Sequence, residues 1–337
     1  VWTQENKSPK KATIMADQIQ HKQPDTIPER IIGKYTGSQP GPLLIVFGGM
    51  HGNEPAGVIA LETIFGLLEA EREVNPGFTF CGTLLGLRGN RRALNRGVRF
   101  IDRDLNRMWT FDSIMSVQGA PLDLLRNENL ELREMLECIH SEVEACSPSE
   151  VVMLDLHTTA AQGGIFSIAR EEERSVRIAV ELHAPVITGM LNGLTGTTLH
   201  YFTTDKIGLP TSAVAFEGGQ HQDPVAVNRL IAALTNCLRT VGCVRAEDVE
   251  NRHDVLLREY SKGLPKVASL IYRHAISPED YFLMNPGYSN FQAVKKGEAI
   301  ARDRHGVIRA AEDALILMPL YQKLGDDGFF LIRPEQY

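Results

Sequence analysis

His51-Gly-Asn-Glu54 directly follows an apolar run, Leu43–Phe47, and Asp155-Leu-His157 follows a second one, Val151–Leu154. Two imidazoles and one carboxylate are the ligand set of a catalytic zinc site, which keeps a fourth position for water. A single HxxE arises easily by chance. Here it has a glycine-rich setting (Gly48, Gly49, Gly52) that frees the backbone to curl, and a matching His on a second strand end. The pattern predicts a metal-dependent hydrolase holding one Zn2+ through His51, Glu54 and His157. Spacing places His51 and Glu54 on one side of a first helical turn, since positions three apart are neighbours there. Asp155 shares its strand face with His157 and is placed to orient an imidazole.

A second chemical feature is a cationic segment. Seven arginines (Arg88, Arg91, Arg92, Arg96, Arg99, Arg103, Arg107) lie with Asp102 and Asp104 in a chain of net charge −7. One reading is a phosphate or nucleic-acid strip. The other is a wall that guides a small acidic substrate, because guanidinium forks suit carboxylates. No aromatic series is interleaved and the chain is acidic, so the second is favoured. Pairing of Arg99 and Arg107 with Asp102 or Asp104 in a structural ion-pair set is the bland alternative.

Positioning such residues needs a layered scaffold. Apolar runs of strand type (Leu43–Phe47, Phe78–Leu87, Val151–Leu154, Gly164–Ala169, Ala184–Thr188, Ser212–Phe216) alternate with helical patterns (54–71, 122–145, 177–183, 224–240). Such alternation predicts an α/β fold, a mostly parallel or mixed sheet covered by helices, with its site at the carboxyl ends of the strands. Past residue 251 short strand candidates separated by Asn285-Pro-Gly287, Lys296-Gly297 and His305-Gly306 predict a smaller β-rich domain. The expected boundaries are a disordered or appended leader over 1–24, a catalytic domain over 25–245 and the β-rich domain over 251–337.

Composition sets the remaining bounds. Hydrophobic content of 43% and charged content of 23% are those of a water-soluble globular protein. The acidic balance argues against a nucleic-acid partner, and no apolar stretch is long enough to span a membrane. Cys81, Cys138, Cys146, Cys237 and Cys243 form no CxxC pair and predict free thiols in the cytoplasm. Homo-oligomerisation is left open.

Taken together, His51-Gly-Asn-Glu54, Gly89-Asn90, Arg99-Phe-Ile-Asp-Arg-Asp-Leu-Asn106-Arg107, Asp155-Leu-His157-Thr-Thr159 and Phe216-Glu217-Gly218 resemble the succinylglutamate desuccinylase/aspartoacylase family, relatives of the zinc carboxypeptidases. The resemblance covers roughly residues 30 to 240 and, more weakly, the tail. It implies that His51, Glu54 and His157 bind zinc and that Glu217 is the general base and acid. It further implies that Arg99 polarises the scissile carbonyl, that Asn106 and Arg107 grip the substrate carboxylate, and that Tyr321 reaches the pocket. Aspartoacylase-like members carry an Arg after a Tyr-x-Thr-Thr segment for a second carboxylate. The segment here reads Tyr201-Phe-Thr-Thr-Asp205-Lys206, which weakens the case for N-acetylaspartate unless Lys206 substitutes.

The resulting expectation is a zinc amidohydrolase acting on a small N-acyl amino acid. A peptide-trimming carboxypeptidase and a non-enzymatic anion-binding module are the rivals.

Overall fold

The computed structural model describes residues 26–249 and 252–335; the expected leader lies outside the described residues. The strands are β1 (Ile31–Thr36), β2 (Gln39–Gly48), β3 (Cys81–Arg88), β4 (Val151–Thr159), β5 (Phe166–Ala169), β6 (Val186–Thr188), β7 (Thr211–Gln220), β8 (Val267–Ala275), β9 (Leu283–Met284), β10 (Ala293–Val294), β11 (Ala299–Asp303), β12 (Gly306–Arg309), β13 (Ala314–Leu317) and β14 (Asp327–Pro334). Helices α1 (Ala56–Val74), α2 (Arg91–Arg96), α3 (Phe111–Gly119), α4 (Asn127–Cys146), α5 (Glu173–Glu181), α6 (Met190–Gly193), α7 (Thr198–Tyr201), α8 (Thr204–Ile207), α9 (Ala226–Thr240) and α10 (Arg252–Tyr260) connect or flank them.

One 11-stranded mixed sheet runs in the order β1-β3-β2-β4-β7-β5-β6-β8-β14-β13-β10. Its centre, β3-β2-β4-β7, is parallel, and β5 returns antiparallel to β7. Alternation along β4 decides the layers. Val152, Leu154 and Leu156 join a core with Leu61 and Ile64 of α1, Ile178 of α5 and Leu230 and Leu234 of α9. Val151 and Met153 point the other way, into a core with Leu132, Met135 and Leu136 of α4. Each fully buried Leu or Phe contributes roughly 1.5–3 kcal/mol. Both faces are covered, so the central strands are apolar throughout until polar residues appear at their ends.

The β-rich tail divides in two. β8, β14, β13 and β10 continue the large sheet, because β8 pairs parallel with β6. Only β9, β11 and β12 form a separate three-stranded antiparallel sheet, packed over Ile316, Phe329 and Leu331. Helix α1 starts at Ala56 rather than Glu54, since Pro55 occupies its N-cap. No helix among the described residues is long and apolar enough to cross a membrane.

Candidate active site

Neighbouring parallel strands end at one edge of a sheet, and β2, β4 and β7 are neighbours here. The site is built on those three ends. His157 and Glu217 are direct register partners across β4 and β7, and Asp155 stands opposite Ala215. Asp155, His157, Ala215 and Glu217 therefore lie on one sheet face. His51 comes from the turn after β2, where Glu54 N–H donates to His51 C=O at 3.1 Å. A turn, not a helix, thus brings the HxxE side chains together. Gly52 matters by close approach: a Cβ there would lie 2.1 Å from the Ala93 carbonyl carbon. Gly49 alone of the three motif glycines has the left-handed backbone, at φ +71°.

His51, Glu54 and His157 are all buried, and their ligand atoms lie within 4.8 Å of one another. His51 Nδ1 is 2.8 Å from Glu54 Oε1, and His157 Nδ1 is 3.2 Å from Glu54 Oε2. Tetrahedral zinc with bonds of about 2.0–2.1 Å separates its ligand atoms by about 3.3 Å, so the donor types suit such an ion and each imidazole stands near that spacing from a Glu54 oxygen. The far ring nitrogens face carboxylates as well. His51 Nε2 is 3.2 Å from Asp104 Oδ1, and His157 Nε2 is 3.2 Å from Asp155 Oδ2. Asp104 is hydrogen-bonded to His51 Nε2, whereas Asp155 lies beside His157 Nε2 without hydrogen-bond alignment; a proton on either Nε2 leaves that ring's Nδ1 lone pair for a cation. Asp155 is itself held by the Thr198 hydroxyl at 2.7 Å.

The electrostatics follow from this packing. Burial works to raise the Glu54 carboxyl, but the two imidazoles hold it well below the usual range. Burial likewise opposes charge on Asp104, and His51 and Arg99 keep it ionised. His157 is driven well above an ordinary imidazole, because Asp155 and Glu54 outweigh its burial. Glu217 goes the other way. Burial, reinforced by Glu54 and Asp155, lifts its carboxyl to about 8, against the pull of His157 and Arg99. Its Oε2 is buried and has no hydrogen-bond partner.

Arg99 donates to Asp104 Oδ2 through Nε and Nη2, at 3.2 and 2.9 Å, and its Nη1 lies 3.7 Å from Glu54. Asn106 Oδ1 accepts from Thr198 N–H at 3.1 Å, which leaves its Nδ2 as a free donor. Arg107 reaches Asp327 at 2.7 Å. Arg99, Asn106 and Arg107 line, with His51, His157 and Glu217, a cavity of about 60 Å³. An adjoining cleft shares Arg99, Arg107 and Asp327 with it and is roofed by Pro319, Leu320 and Gln322 of the tail.

Tyr321 departs from expectation. It is 40% exposed, and its hydroxyl accepts from Tyr288 N–H and donates to Asn285 C=O, both at 2.8 Å. Those bonds turn it away from the cleft. Its neighbour Gln322 takes the place, accepting from Asn53 at 3.1 Å. Asp205 and Lys206 are exposed on α8, where the Lys206 ammonium sits over the Phe111 ring. Neither lines the cavity.

The arginine segment is no continuous cationic strip. Arg88 pairs with Glu62, and Arg91 and Arg92 pair with Glu131 and Glu134 of α4. Buried Glu128 accepts from the backbone N–H groups of Ile101, Asp102 and Arg103 and so shapes the loop that carries Arg99. The sequence reading missed Glu128, whose one signal is an acid at the start of an apolar helix stripe.

Residues 40–240 match the family model for the succinylglutamate desuccinylase/aspartoacylase catalytic domain. The chain therefore belongs to the succinylglutamate desuccinylase/aspartoacylase family, a family of deacylases by name. Among relatives, it is 27% identical over 128 residues to a probable aspartoacylase of Nostoc, a match covering 38% of this chain and 39% of that protein. It is 25% identical over 279 residues to the succinylglutamate desuccinylase of Pseudomonas paraeruginosa, covering 78% of this chain and 74% of that one. The fold resembles the crystal structure of the succinylglutamate desuccinylase from Chromobacterium violaceum, with a TM-score of 0.58, 17% identity and coverage of 92% and 95%.

Proposed function

We propose that the protein is a zinc-dependent deacylase that hydrolyses the amide bond of a small N-acyl amino acid. The observation that carries this reading is the placement of Glu217, buried and unpartnered at Oε2, directly across the ladder from His157. His51, Glu54 and His157 would hold the ion. When bound, zinc acts as a Lewis acid and brings the pKa of water toward neutrality. Glu217 takes the proton of the attacking water and returns it to the departing amine. The Arg99 guanidinium, fixed by Asp104, faces the charge that develops on the carbonyl oxygen. Asn106 Nδ2 and Arg107 receive the carboxylate of the amino-acid part.

A Glu54 carboxylate held between two imidazoles and a partly neutral Glu217 beside it are a pair of acids pushed in opposite directions. Such divergence is how one site separates a ligand from a proton carrier. Pro319, Leu320 and Gln322 of the tail line the cleft that adjoins the cavity, which favours a small substrate over a peptide chain. All five cysteines are unpaired thiols, which supports a reducing, cytoplasmic setting.

The test is a panel of N-acetyl, N-succinyl and N-formyl amino acids incubated with zinc-loaded protein, with release of free amine as the readout. Turnover of none of them, in protein that carries no tightly bound metal, would sink the proposal.

A further inference from the structure

Charged residues are only part of the cavity lining; apart from Asn106 and Thr197, the rest is apolar. Ile168, Met190, Leu191, Leu194, Leu199 and Ala215 all line it. This wall is a consequence of register. Ala215 lies two residues before Glu217 on the same face of β7, and Ile168 of β5 is the direct partner of Ala215. The pair forms a floor immediately behind the proposed general base. Met190 to Leu199 closes over that floor and is tied to the carboxylate-binding segment: Trp109 N–H donates to Gly196 C=O at 3.0 Å, and Thr198 N–H donates to Asn106. The apolar wall thus begins where Asn106 and Arg107 end.

The cations of the cavity are already matched. Arg99 is paired with Asp104, and Arg107 with Asp327. Arg273 adds a second guanidinium to Asp327, at 2.5 Å. Arg107, which lines the cavity, shares Asp327 with Arg273, which does not, so this cluster keeps one positive charge beside the cavity. Lys206 points over Phe111, outside the cavity.

We infer that the amino acid released by this enzyme has an uncharged, apolar side chain, which Ile168, Met190, Leu191, Leu194, Leu199 and Ala215 receive. The inference rests on the deacylase reading and narrows its substrate. A second carboxylate placed against this wall would be desolvated with no partner, whereas a leucine or methionine side chain gains by burial.

The experiment compares kcat/KM for N-acetyl-L-leucine and N-acetyl-L-methionine with N-acetyl-L-aspartate and N-acetyl-L-glutamate. In parallel, calorimetry measures binding of free L-leucine and free L-aspartate to the same protein. The expected preference for the apolar pair is at least about 100-fold, the scale of an unpaired buried charge. Leu191→Arg, at a half-buried position, should shift the ratio toward N-acetylglutamate by about tenfold or more; Leu191→Ala, which removes apolar contact without adding a cation, should lower turnover of the apolar pair without raising that of the acidic pair. Preference for the acidic pair overturns the inference and leaves the deacylase standing. Turnover of none, with leucine still binding better than aspartate, overturns the deacylase and leaves the apolar pocket. Neither turnover nor selective binding overturns both.

Discussion

Arg107 Nη2 and Asp327 Oδ2 stand 2.7 Å apart, joining a loop of the catalytic edge to the first residue of β14. Arg273 Nε holds the other oxygen of the same carboxylate. Both ends of the bridge are mostly buried, with side-chain exposures of 20% and 11%, so solvent screens it poorly. Asp327→Ala leaves two guanidiniums facing each other and should cost about 2–4 kcal/mol of unfolding free energy. Adding Arg273→Met should recover part of that loss in a double-mutant cycle followed by chemical denaturation. Strict additivity would mean that the three groups do not act as a unit.

Glu217→Gln keeps the shape of the side chain and removes the proton carrier. Turnover should fall by about 10²–10⁴-fold, with metal content unchanged. Wild-type turnover in the folded, metal-bound variant would rule Glu217 out as the base.

The same variant isolates a pH effect. The folded-state Glu217 carboxyl titrates at about 8 against an ordinary 4.5. Between those values the folded metal-free protein holds a proton that the unfolded chain has released, so this group's contribution to stability falls as pH rises. Denaturation midpoints of metal-free wild type and Glu217→Gln, measured from pH 5 to pH 8, should diverge in favour of the variant. A bound cation opposes the effect by favouring the carboxylate. A constant difference across that range would contradict the assigned environment.

Chelation should abolish activity and lower the melting temperature, and about one equivalent of zinc should restore both. An ion present at 100 times its Kd stabilises the folded state by about 2.7 kcal/mol. A melting curve indifferent to chelator and zinc alike would refute the assignment of His51, Glu54 and His157 as ligands.

Asp104 and Asp155 would act on a bound ion through the imidazoles they face. Asp104→Asn and Asp155→Asn should each weaken zinc affinity by about 10–100-fold in a competition titration. Full affinity in both would mean that neither carboxylate tunes an imidazole as a ligand.

The convergence of His51, Glu54 and His157 could be read from the chain because they follow apolar runs of buried-strand type. Leu43–Phe47 and Val151–Leu154 announce β2 and β4, and parallel neighbours must end together. Edge and tail elements were harder. β1 is a short strand carrying Lys34 and exposed residues, so its pattern is weak. Helices α6, α7 and α8 have four residues each and owe their form to caps and tertiary contact rather than to periodicity. The partnership of Arg107 with Asp327 spans 220 positions, and no local pattern encodes it. Tyr321 failed for the converse reason: a tyrosine near the right place says nothing about which way a loop turns it.

Because β8 bonds to β6 and β14 to β8, the chain's last strands extend the central ladder rather than hanging from it. Clipping them away would bare the flank of Val186–Thr188, whose orphaned amides and carbonyls would then template pairing with other molecules. The roof and counter-charge over the cleft would vanish in the same cut. Colloidal behaviour and ligand recognition are thereby tied to a single stretch of polypeptide.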